Sequence, residues 1–356
     1  MAQMLHPPAP PSWRERWFKA MFASVGTSFT TAIVLVLLAV VIYKAFVWGV
    51  WDATTVIDPN VCRDSAGACW GAVRYNHRII LLGRYPIGEG WRPVLGMVLL
   101  LGSVGLAATP RFFGSKGVWM VAVALVPFVA LLAGGWAGLT PVDSDLWGGL
   151  PLTLLLSVFA VMTSVPLAIA LALGRRSQLP IVRWVCTGYI EIIRGVPLIT
   201  VLFFGAFVLP LLLPASWRAD PMIRVAFCLT AFSAAYLAEV YRGGLQAITK
   251  GQSEAAHALS LSRWQSLKLI ILPQAARLTI PPATSHFIGV LKDTSLVAIV
   301  NIYDLTGSLK MALTNPDWRP YFVEAYIVVS AIYLVLGLSI VRYGRFLEHR
   351  YALDKR

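Results

Sequence analysis

The sequence predicts an all-α, polytopic membrane protein with about eight transmembrane helices. Hydrophobic residues make up 58% of the chain and charged residues only 13%, whereas roughly a quarter of the residues in a soluble domain are charged. Apolar runs such as residues 30–43 and 119–139 approach the roughly 20 residues that cross a bilayer as a helix. These runs do not alternate polar and apolar residues, which excludes the strands of a transmembrane barrel.

The predicted spans follow one another along most of the chain. They lie near residues 29–51, 94–109, 118–138, 149–173, 184–213, 222–241, 280–300 and 321–341. The first span lies behind a polar segment, residues 1–28, and no small-residue cleavage site follows it. We therefore predict a retained helix rather than a cleaved signal peptide.

The basic residues predict the orientation of these spans. A net charge of +13 does not require nucleic acid, because membrane proteins concentrate Lys and Arg in their cytoplasmic loops. With the N-terminus inside, the predicted cytoplasmic segments carry 18 Lys and Arg and the short external loops carry 3. The long external loop, residues 52–93, has little weight in this rule. Both termini are therefore predicted to be cytoplasmic.

The long external loop contains Cys62 and Cys69. An oxidising external location and a spacer that includes Gly67 permit a disulfide between them, and two free thiols are the alternative. Two cysteines are too few ligands for a metal site, and the histidines of the chain show no metal-ligand spacing.

Residues 242–279, between the sixth and seventh spans, predict a cytoplasmic helical hairpin. Ser253 is expected to cap a first helix that begins at Glu254, whose carboxylate then lies at the positive end of the helix dipole. Ser262 is expected to cap a second helix that Pro273 ends.

Two interpretations of this hairpin remain open from composition. Its amphipathic second helix is suited to the lipid interface. The small residues of its first helix are suited to a groove in a cytoplasmic partner, because alanines allow close approach and Glu254 can pair with a partner arginine.

Four separated stretches resemble one known family. Residues 251–277, GQSEAAHALSLSRWQSLKLIILPQAAR, resemble the EAA loop of ATP-binding-cassette (ABC) importer permeases, in the version of the polar amino-acid branch. The other stretches, in the family's order, are EIIRGVPLITVLFF (191–204), AEVYRGGLQAI (238–248) and LKDTSLVAIVNIYDLTG (291–307). One position departs, since the family usually has Gly where this chain has Ser260.

The resemblance covers residues 148–345 and implies a type I importer permease core of five helices. Three extra helices, with the external loop, would occupy residues 29–147, and residues 346–356 would form a cytoplasmic tail. The hairpin, residues 249–276, would be the coupling element that docks on a cytoplasmic ATPase dimer. The residues expected at that contact are Gly251, Glu254, Ala255, Ala256, Ala258, Leu259 and Ser260.

The same resemblance implies partners in a bacterial inner membrane. The chain has no GxxxxGK[ST] phosphate-binding loop, so ATP and Mg are expected on the ATPase. This chain is expected to carry no cofactor and to be no enzyme. A second, homologous permease subunit and a periplasmic amino-acid-binding protein complete the expected assembly.

Charged residues in the seventh span mark a candidate translocation pathway or gate. Lys292 and Asp293 lie about twelve residues into that span, where a lone Lys costs about 2.5–3.5 kcal/mol on insertion scales. They point about 100° apart on a helix and pair poorly with each other. Either each pairs across helices, or the helix breaks at Asp293, Thr294 and Ser295, whose short polar side chains favour caps. Structural pairing alone is the alternative to a pathway role.

Glu191 and Arg194, at i and i+3, are predicted to pair on one face of the fifth span. They precede Gly195 and Pro197, where the helix is expected to kink. The candidates there are a self-satisfied structural pair or a hinge lining the pathway.

Glu239 and Arg242 repeat this spacing near the cytoplasmic end of the sixth span, where a structural role beneath the hairpin is favoured. Gly243 and Gly244 are predicted to permit a sharp exit from that span.

The resemblance indicates import of L-amino acids and looks closest to the larger permease of broad-range importers. It does not assign which amino acids are carried, because an external binding protein shares the selection. The alternatives are a secondary transporter driven by an ion gradient, and a membrane scaffold or sensor. Secondary transporters usually show an inverted repeat, and the 291–307 pattern has no second copy in this sequence.

Overall fold

The computed structural model describes residues 12–109, 111–112 and 114–351, and this part of the chain is helical without strands. The α-helices are α1 (Trp13–Met21), α2 (Val25–Phe46), α3 (Pro59–Asp64), α4 (Trp70–Leu82), α5 (Trp91–Ala107), α6 (Ser115–Ala133), α7 (Gly149–Arg175), α8 (Pro180–Gly195), α9 (Leu198–Phe203), α10 (Leu209–Leu212), α11 (Pro221–Gln246), α12 (Lys250–Ala258), α13 (Arg263–Ser266), α14 (Leu272–Asp293), α15 (Leu305–Ala312) and α16 (Phe322–Tyr351). Short π and 3₁₀ segments connect several of them. The π segments are Val47–Trp51, Phe204–Val208 and Leu267–Ile271, and the 3₁₀ segments include Ser144–Leu146 and Thr294–Val300.

Within the described residues, six helical stretches are long and apolar enough to cross a membrane. They are Val25–Trp51, Ser115–Ala133, Gly149–Arg175, Pro221–Gln246, Arg263–Val300 and Arg319–Arg350. A bent pair of helices, α8 and the stretch Leu198–Leu212, makes a seventh candidate span. The shorter apolar helix α5 coincides with the second predicted span. The predicted all-α, multi-span fold class is confirmed.

The chain divides into two compact units, residues 1–74 and 75–356. In the first unit, Ser24 caps the first turn of α2 with its hydroxyl. Cys62 and Cys69 form a disulfide with their Cα atoms 5.4 Å apart. The indole N–H of Trp70 donates to the carbonyl of Gly49 at 2.8 Å, so the disulfide-bearing loop is attached to the end of the first span.

The predicted tails fall partly outside the described residues. Residues 1–11 of the N-terminal segment and 352–356 of the C-terminal segment are among those that the structure does not describe.

In the second unit, α5 and α6 pack against α7 through one apolar cluster that includes Leu100, Phe128 and Leu154. The fully buried Arg92 closes the end of α6. Its guanidinium donates to the carbonyls of Leu131 at 2.8 Å and Thr140 at 2.9 Å. Terminal carbonyls of a helix lack intrahelical partners, so this arginine replaces the missing donors.

The fifth predicted span is broken rather than kinked. Helix α8 ends at Gly195, and the chain turns by 105° before the next helix begins at Leu198. Pro197, between them, cannot donate the backbone hydrogen bond that a continuous helix needs. The location of the break agrees with the prediction, and its angle is much larger than that of an ordinary proline kink.

The predicted exit at Gly243 and Gly244 is wrong, because α11 continues through both residues to Gln246. A β-carbon at Gly244 would overlap Cγ2 of Thr279 on α14. The absence of a side chain at this position therefore allows two spans to approach closely, a packing role that Gly has in membrane helices.

Two boundaries of the predicted hairpin also differ. The first helix begins at Lys250, after an extended Thr249, and not at Glu254 with Ser253 as its cap. Pro273 does not end the second helix. The π turn over Leu267–Ile271 widens the helix just before Pro273, and α14 continues from there. Wide turns of this kind commonly accommodate a disrupted ladder of helical hydrogen bonds.

Candidate functional site

The first helix of the hairpin, α12, is exposed over most of its surface, and one side of it carries mainly small residues. The residues on that side follow the i, i+3, i+4, i+7, i+8 spacing that lines one side of a helix. We call this surface the docking face, and it consists of Gly251, Glu254, Ala255, Ala258 and Leu259. All five residues are exposed, and the Leu259 side chain is 72% accessible. An exposed leucine beside a carboxylate and two alanines offers a shallow surface for a partner.

One predicted contact residue is placed differently. Ala256 is fully buried on the opposite side of α12, so a contact between this residue and a partner does not fit the structure. The i+1 and i+2 positions of a helix do not share a face with position i, and Ala256 therefore packs inside the chain.

The turn of the hairpin is formed by Ser260, which adopts the left-handed conformation with φ of 57°. This is the conformation that Gly adopts without steric cost. Ser262 caps the next helix, as predicted, by accepting from the backbone N–H of Gln265 at 3.3 Å. The side chains of Gln252 and Gln274 are joined at 3.0 Å, which attaches the hairpin to α14.

Five charged side chains meet where α7, α8 and α11 come together. We call them the Glu239 cluster, and they are Arg175, Glu191, Arg194, Glu239 and Arg242. The Glu239 carboxylate accepts from Arg242 Nε at 2.9 Å and from Arg175 Nη1 at 3.1 Å, and Arg194 Nη1 lies 3.7 Å away. One acid thus joins three helices through three arginines.

The predicted pair between Glu191 and Arg194 is wrong. Glu191 instead pairs with Arg175 of α7 at 2.7 Å, while Arg194 approaches Glu239 and lies 5.5 Å from the ring centre of Tyr236. Partners on neighbouring helices hold both side chains, because α8 packs against α7 and α11. The Glu239–Arg242 pair is present.

The segment around Lys292 changes helix type. Helix α14 ends at Asp293, and Thr294–Val300 forms a 3₁₀ helix. Lys292 is exposed and Asp293 half-buried, and neither belongs to an ion pair among the described residues. Ser295 is half-buried, whereas Thr294 is fully buried. A tightened helix at this depth is compatible with membranes where it lines a cavity or is buried in protein.

A buried acid that the sequence did not single out anchors this segment. Asp304, fully buried, accepts from the Tyr333 hydroxyl at 2.8 Å and from the Gly307 backbone N–H at 2.8 Å. The hydroxyls of Thr294 and Thr153 lie 3.4 and 3.5 Å from the same carboxylate. We call this group the Asp304 junction. It connects α7, the 3₁₀ segment, α15 and α16.

Burial raises the pKa of Asp304 above its ordinary value, and the hydrogen bonds from Gly307 and Tyr333 oppose part of that shift. In the sequence, Asp304 stands directly before Leu305, Thr306 and Gly307, a position at which an aspartate caps a helix. No local pattern in the sequence indicates the contacts of Asp304 with α7 and α16.

The comparisons with known proteins decide the family. A family model described as binding-protein-dependent transport system inner membrane component matches residues 164–353. The chain belongs to this family. The predicted resemblance to ABC importer permeases is thereby confirmed.

Two relatives of this permease are named as permease proteins of amino-acid transport systems. It is 38% identical over 357 residues to the Escherichia coli (strain K12) inner membrane amino-acid ABC transporter permease protein YhdY, covering 97% of this chain and 96% of the relative. It is 35% identical over 375 residues, 86% of each chain, to the glutamate/glutamine/aspartate/asparagine transport system permease protein BztC of Rhodobacter capsulatus. A crystal structure described as an amino acid ABC transporter with histidines aligns at 30% identity and a TM-score of 0.51, over 57% of this chain and 92% of that chain.

Proposed function

We propose that this permease is the membrane-spanning subunit of an ATP-driven importer that carries L-amino acids from the periplasm into the cytoplasm. The observation that carries the proposal is the docking face, an exposed surface led by Glu254 on a helix between two spans. In this proposal the docking face receives force from a cytoplasmic partner. Two relatives named as amino-acid permeases support the substrate class.

The continuity of the chain beyond the docking face suggests how motion is transmitted. From Arg263 to Val300 the backbone forms one uninterrupted helical stretch, and the Gln252–Gln274 bond couples it to α12. We infer that a displacement of α12 is passed through this bond and this stretch to Lys292 and the 3₁₀ segment. In this proposal a separate ATPase dimer binds ATP and Mg, and closure of that dimer supplies the displacement.

The proposed topology places both termini and the hairpin in the cytoplasm, with the disulfide loop in the periplasm. The charge asymmetry of the loops supports this orientation. An oxidising periplasm also suits the disulfide between Cys62 and Cys69. Alkylation of the intact protein with and without reductant tests this point, and a mass shift without reductant at both cysteines would contradict it.

The proposed assembly also contains a second, homologous permease subunit and a periplasmic amino-acid-binding protein. The binding protein delivers the amino acid, and the two permeases form the path through the membrane. Lys292 and Asp293 provide both charge signs that a zwitterionic amino acid requires.

Charge reversal on the docking face tests the proposal. We expect Glu254→Lys to abolish ATP-dependent uptake and co-purification of the ATPase while the protein remains inserted, because a reversed charge opposes the partner's arginine. Arg263→Glu is the matched control, since Arg263 is an exposed charged residue on the second helix of the hairpin, outside the docking face. Wild-type recovery of the ATPase with Glu254→Lys would contradict the docking role.

Deletion of the ATPase gene distinguishes the proposed importer from a secondary transporter and from a scaffold or sensor. Uptake that persists on a proton or sodium gradient after deletion of the ATPase gene would identify a secondary transporter. Absence of any uptake phenotype would identify a scaffold or sensor.

A further inference from the structure

Helix α1, at the start of the described chain, carries an aromatic side that is largely exposed. The side chains of Trp13, Trp17 and Phe18 are 63%, 65% and 64% exposed. At about 100° per residue, these rings and Ala20 lie within one arc of about 160° around the helix. We call this arc the aromatic face, and it consists of Trp13, Trp17, Phe18 and Ala20.

The end of α1 is attached to the first turns of the first span. Residues 22–24 alone separate α1 from α2. The hydroxyl of Thr31, which lies about 9 Å along α2 from its first residue, donates to the carbonyl of Met21 at 2.9 Å. The end of α1 therefore lies beside the second turn of α2.

The residues of α2 show where this level lies in the bilayer. Residues 32–42 are all apolar, whereas the two turns before them carry four hydroxyl groups, those of Thr27, Ser28, Thr30 and Thr31. The boundary between lipid headgroups and hydrocarbon therefore lies near Thr31. A helix attached at that boundary has the membrane surface as its neighbour.

The charge of α1 complements an anionic surface. Its basic residues are Arg14, Arg16 and Lys19, and Glu15 is its one acid. The guanidinium carbon of Arg14 lies 5.5 Å from the ring centre of Trp13, so a basic group and an aromatic ring occupy the same end of the helix. Tryptophan is enriched where headgroups meet hydrocarbon, and anionic lipids attract basic residues near the membrane. This combination favours lipid over a protein partner, because the bilayer already surrounds α2.

We propose that α1 lies in the membrane surface at the N-terminal end of the first span and binds anionic phospholipids. The aromatic face enters the upper part of the acyl chains, and Arg14 and Lys19 contact lipid phosphates. A capping box preserves the helical form, since the Ser12 N–H donates to the Glu15 carboxylate at 3.2 Å and the Glu15 N–H donates to the Ser12 hydroxyl at 3.4 Å. Surface anchors of this kind help to set the tilt of a span.

The experiment uses the full-length permease in vesicles of phosphatidylethanolamine and phosphatidylglycerol. Cys186 and Cys228, which are free thiols, are replaced by Ser, and one cysteine that carries a fluorophore replaces Ala20 on the aromatic face. The matched control carries the fluorophore at Lys19, which is exposed on the opposite side of α1. Quenching is measured with aqueous iodide, and with phosphatidylglycerol or phosphatidylcholine that bears a nitroxide high on one acyl chain.

We expect the fluorophore at position 20 to be shielded from iodide and quenched by nitroxide lipids, and the fluorophore at position 19 to be quenched by iodide. Titration at position 20 should give a larger association constant for phosphatidylglycerol than for phosphatidylcholine. That ratio should fall by up to about fivefold for each basic residue replaced in Arg14→Gln and Lys19→Gln. Glu15→Gln should raise the ratio, because Gln preserves the capping box while the acid is removed.

Three results would overturn the inference. Iodide quenching at position 20 without lipid quenching would place the aromatic face in water, and shielding from both quenchers would show that protein covers it. Equal association of the two lipids would exclude recognition of the anionic headgroup. A photoreactive phenylalanine in place of Trp17, in an otherwise wild-type chain, gives a second measurement without the cysteine replacements. It should crosslink to phosphatidylglycerol, and crosslinks to protein alone would contradict the inference.

Discussion

Removal of the Glu239 carboxylate should destabilise the contact between α7, α8 and α11. In the structure this carboxylate receives hydrogen bonds from Arg242 at 2.9 Å and Arg175 at 3.1 Å, and Arg194 lies at 3.7 Å. The substitution Glu239→Ala leaves three arginines close together with Glu191 as the remaining acid of the cluster.

The loss of stability expected for Glu239→Ala follows from these contacts. A hydrogen bond to a charged group contributes about 1.5–3 kcal/mol, and the lower value applies because the Glu239 side chain is 23% exposed. Two such bonds give about 3 kcal/mol, and the more distant Arg194 adds less than about 1 kcal/mol. For a chain of 356 residues, that loss corresponds to a fall in Tm of about 4–5 °C.

The assay is thermal unfolding of the purified permease in detergent, followed by intrinsic tryptophan fluorescence. Glu191→Ala is the matched control, because Glu191 is 57% exposed and, among the described residues, forms an ion pair with Arg175 alone. Such surface pairs contribute about 1 kcal/mol or less, so its Tm should fall by no more than about 1–2 °C. Equal Tm values for the two variants would refute the assignment of Glu239 as the centre of the cluster.

Three further predictions concern the turn, the helix contact and the buried acid. Ser260→Gly should raise stability by about 1 kcal/mol with unchanged uptake, because a left-handed residue other than Gly costs about 1–2 kcal/mol; a lower melting temperature would contradict this. Gly244→Ala should lower stability by about 1–3 kcal/mol, as overpacking does, and adding Thr279→Ser should restore it by removing the overlapping methyl group, so an unrescued double variant would count against the close helix contact. The pKa of Asp304 is raised in the folded protein. Protonated Asp304 therefore stabilises the fold most at a pH below its ordinary pKa of 3.8. This stabilisation declines as the pH rises through the raised pKa. Melting curves between about pH 4 and pH 8 should therefore show Asp304→Asn gaining stability relative to wild type as pH rises, and parallel curves would exclude this contribution.

Much of the helix layout could be predicted from the sequence because hydrophobic length is a local property. The runs at 149–173 and 222–241 coincide with α7 and α11 to within a few residues at each end. The broken span was located correctly at Pro197, since proline acts on its own backbone. The docking face could also be predicted from helical spacing, which is local, except that Ala256 lies on the buried side of α12.

Contacts between helices were the part that sequence reasoning missed. The spacing of Glu191 and Arg194 suggested a pair, but their actual partners come from α7 and α11, and Arg175 was not among the predicted residues. Gly244 was interpreted as a flexible exit, although its function is to accommodate Thr279. Each of these depends on which helices become neighbours, and no local pattern contains that information.

The hairpin shows how competing local signals are resolved. Pro273 would normally end a helix, yet the wide turn before it lets α14 continue. Ser253 and Glu254 form a good capping sequence, but the extended conformation of Thr249 starts the helix one turn earlier. The earlier start brings Gly251 onto the docking face.

Photo-crosslinking in the assembled transporter is the most direct test that α12 receives force from a separate ATPase. A photoreactive amino acid would replace Ala255, on the docking face, or Trp264, which is 63% exposed on the second helix of the hairpin. We expect position 255 to crosslink to the ATPase and position 264 to crosslink to lipid. Crosslinks from position 255 to lipid or to the permease itself, with none to an ATPase, would contradict the account.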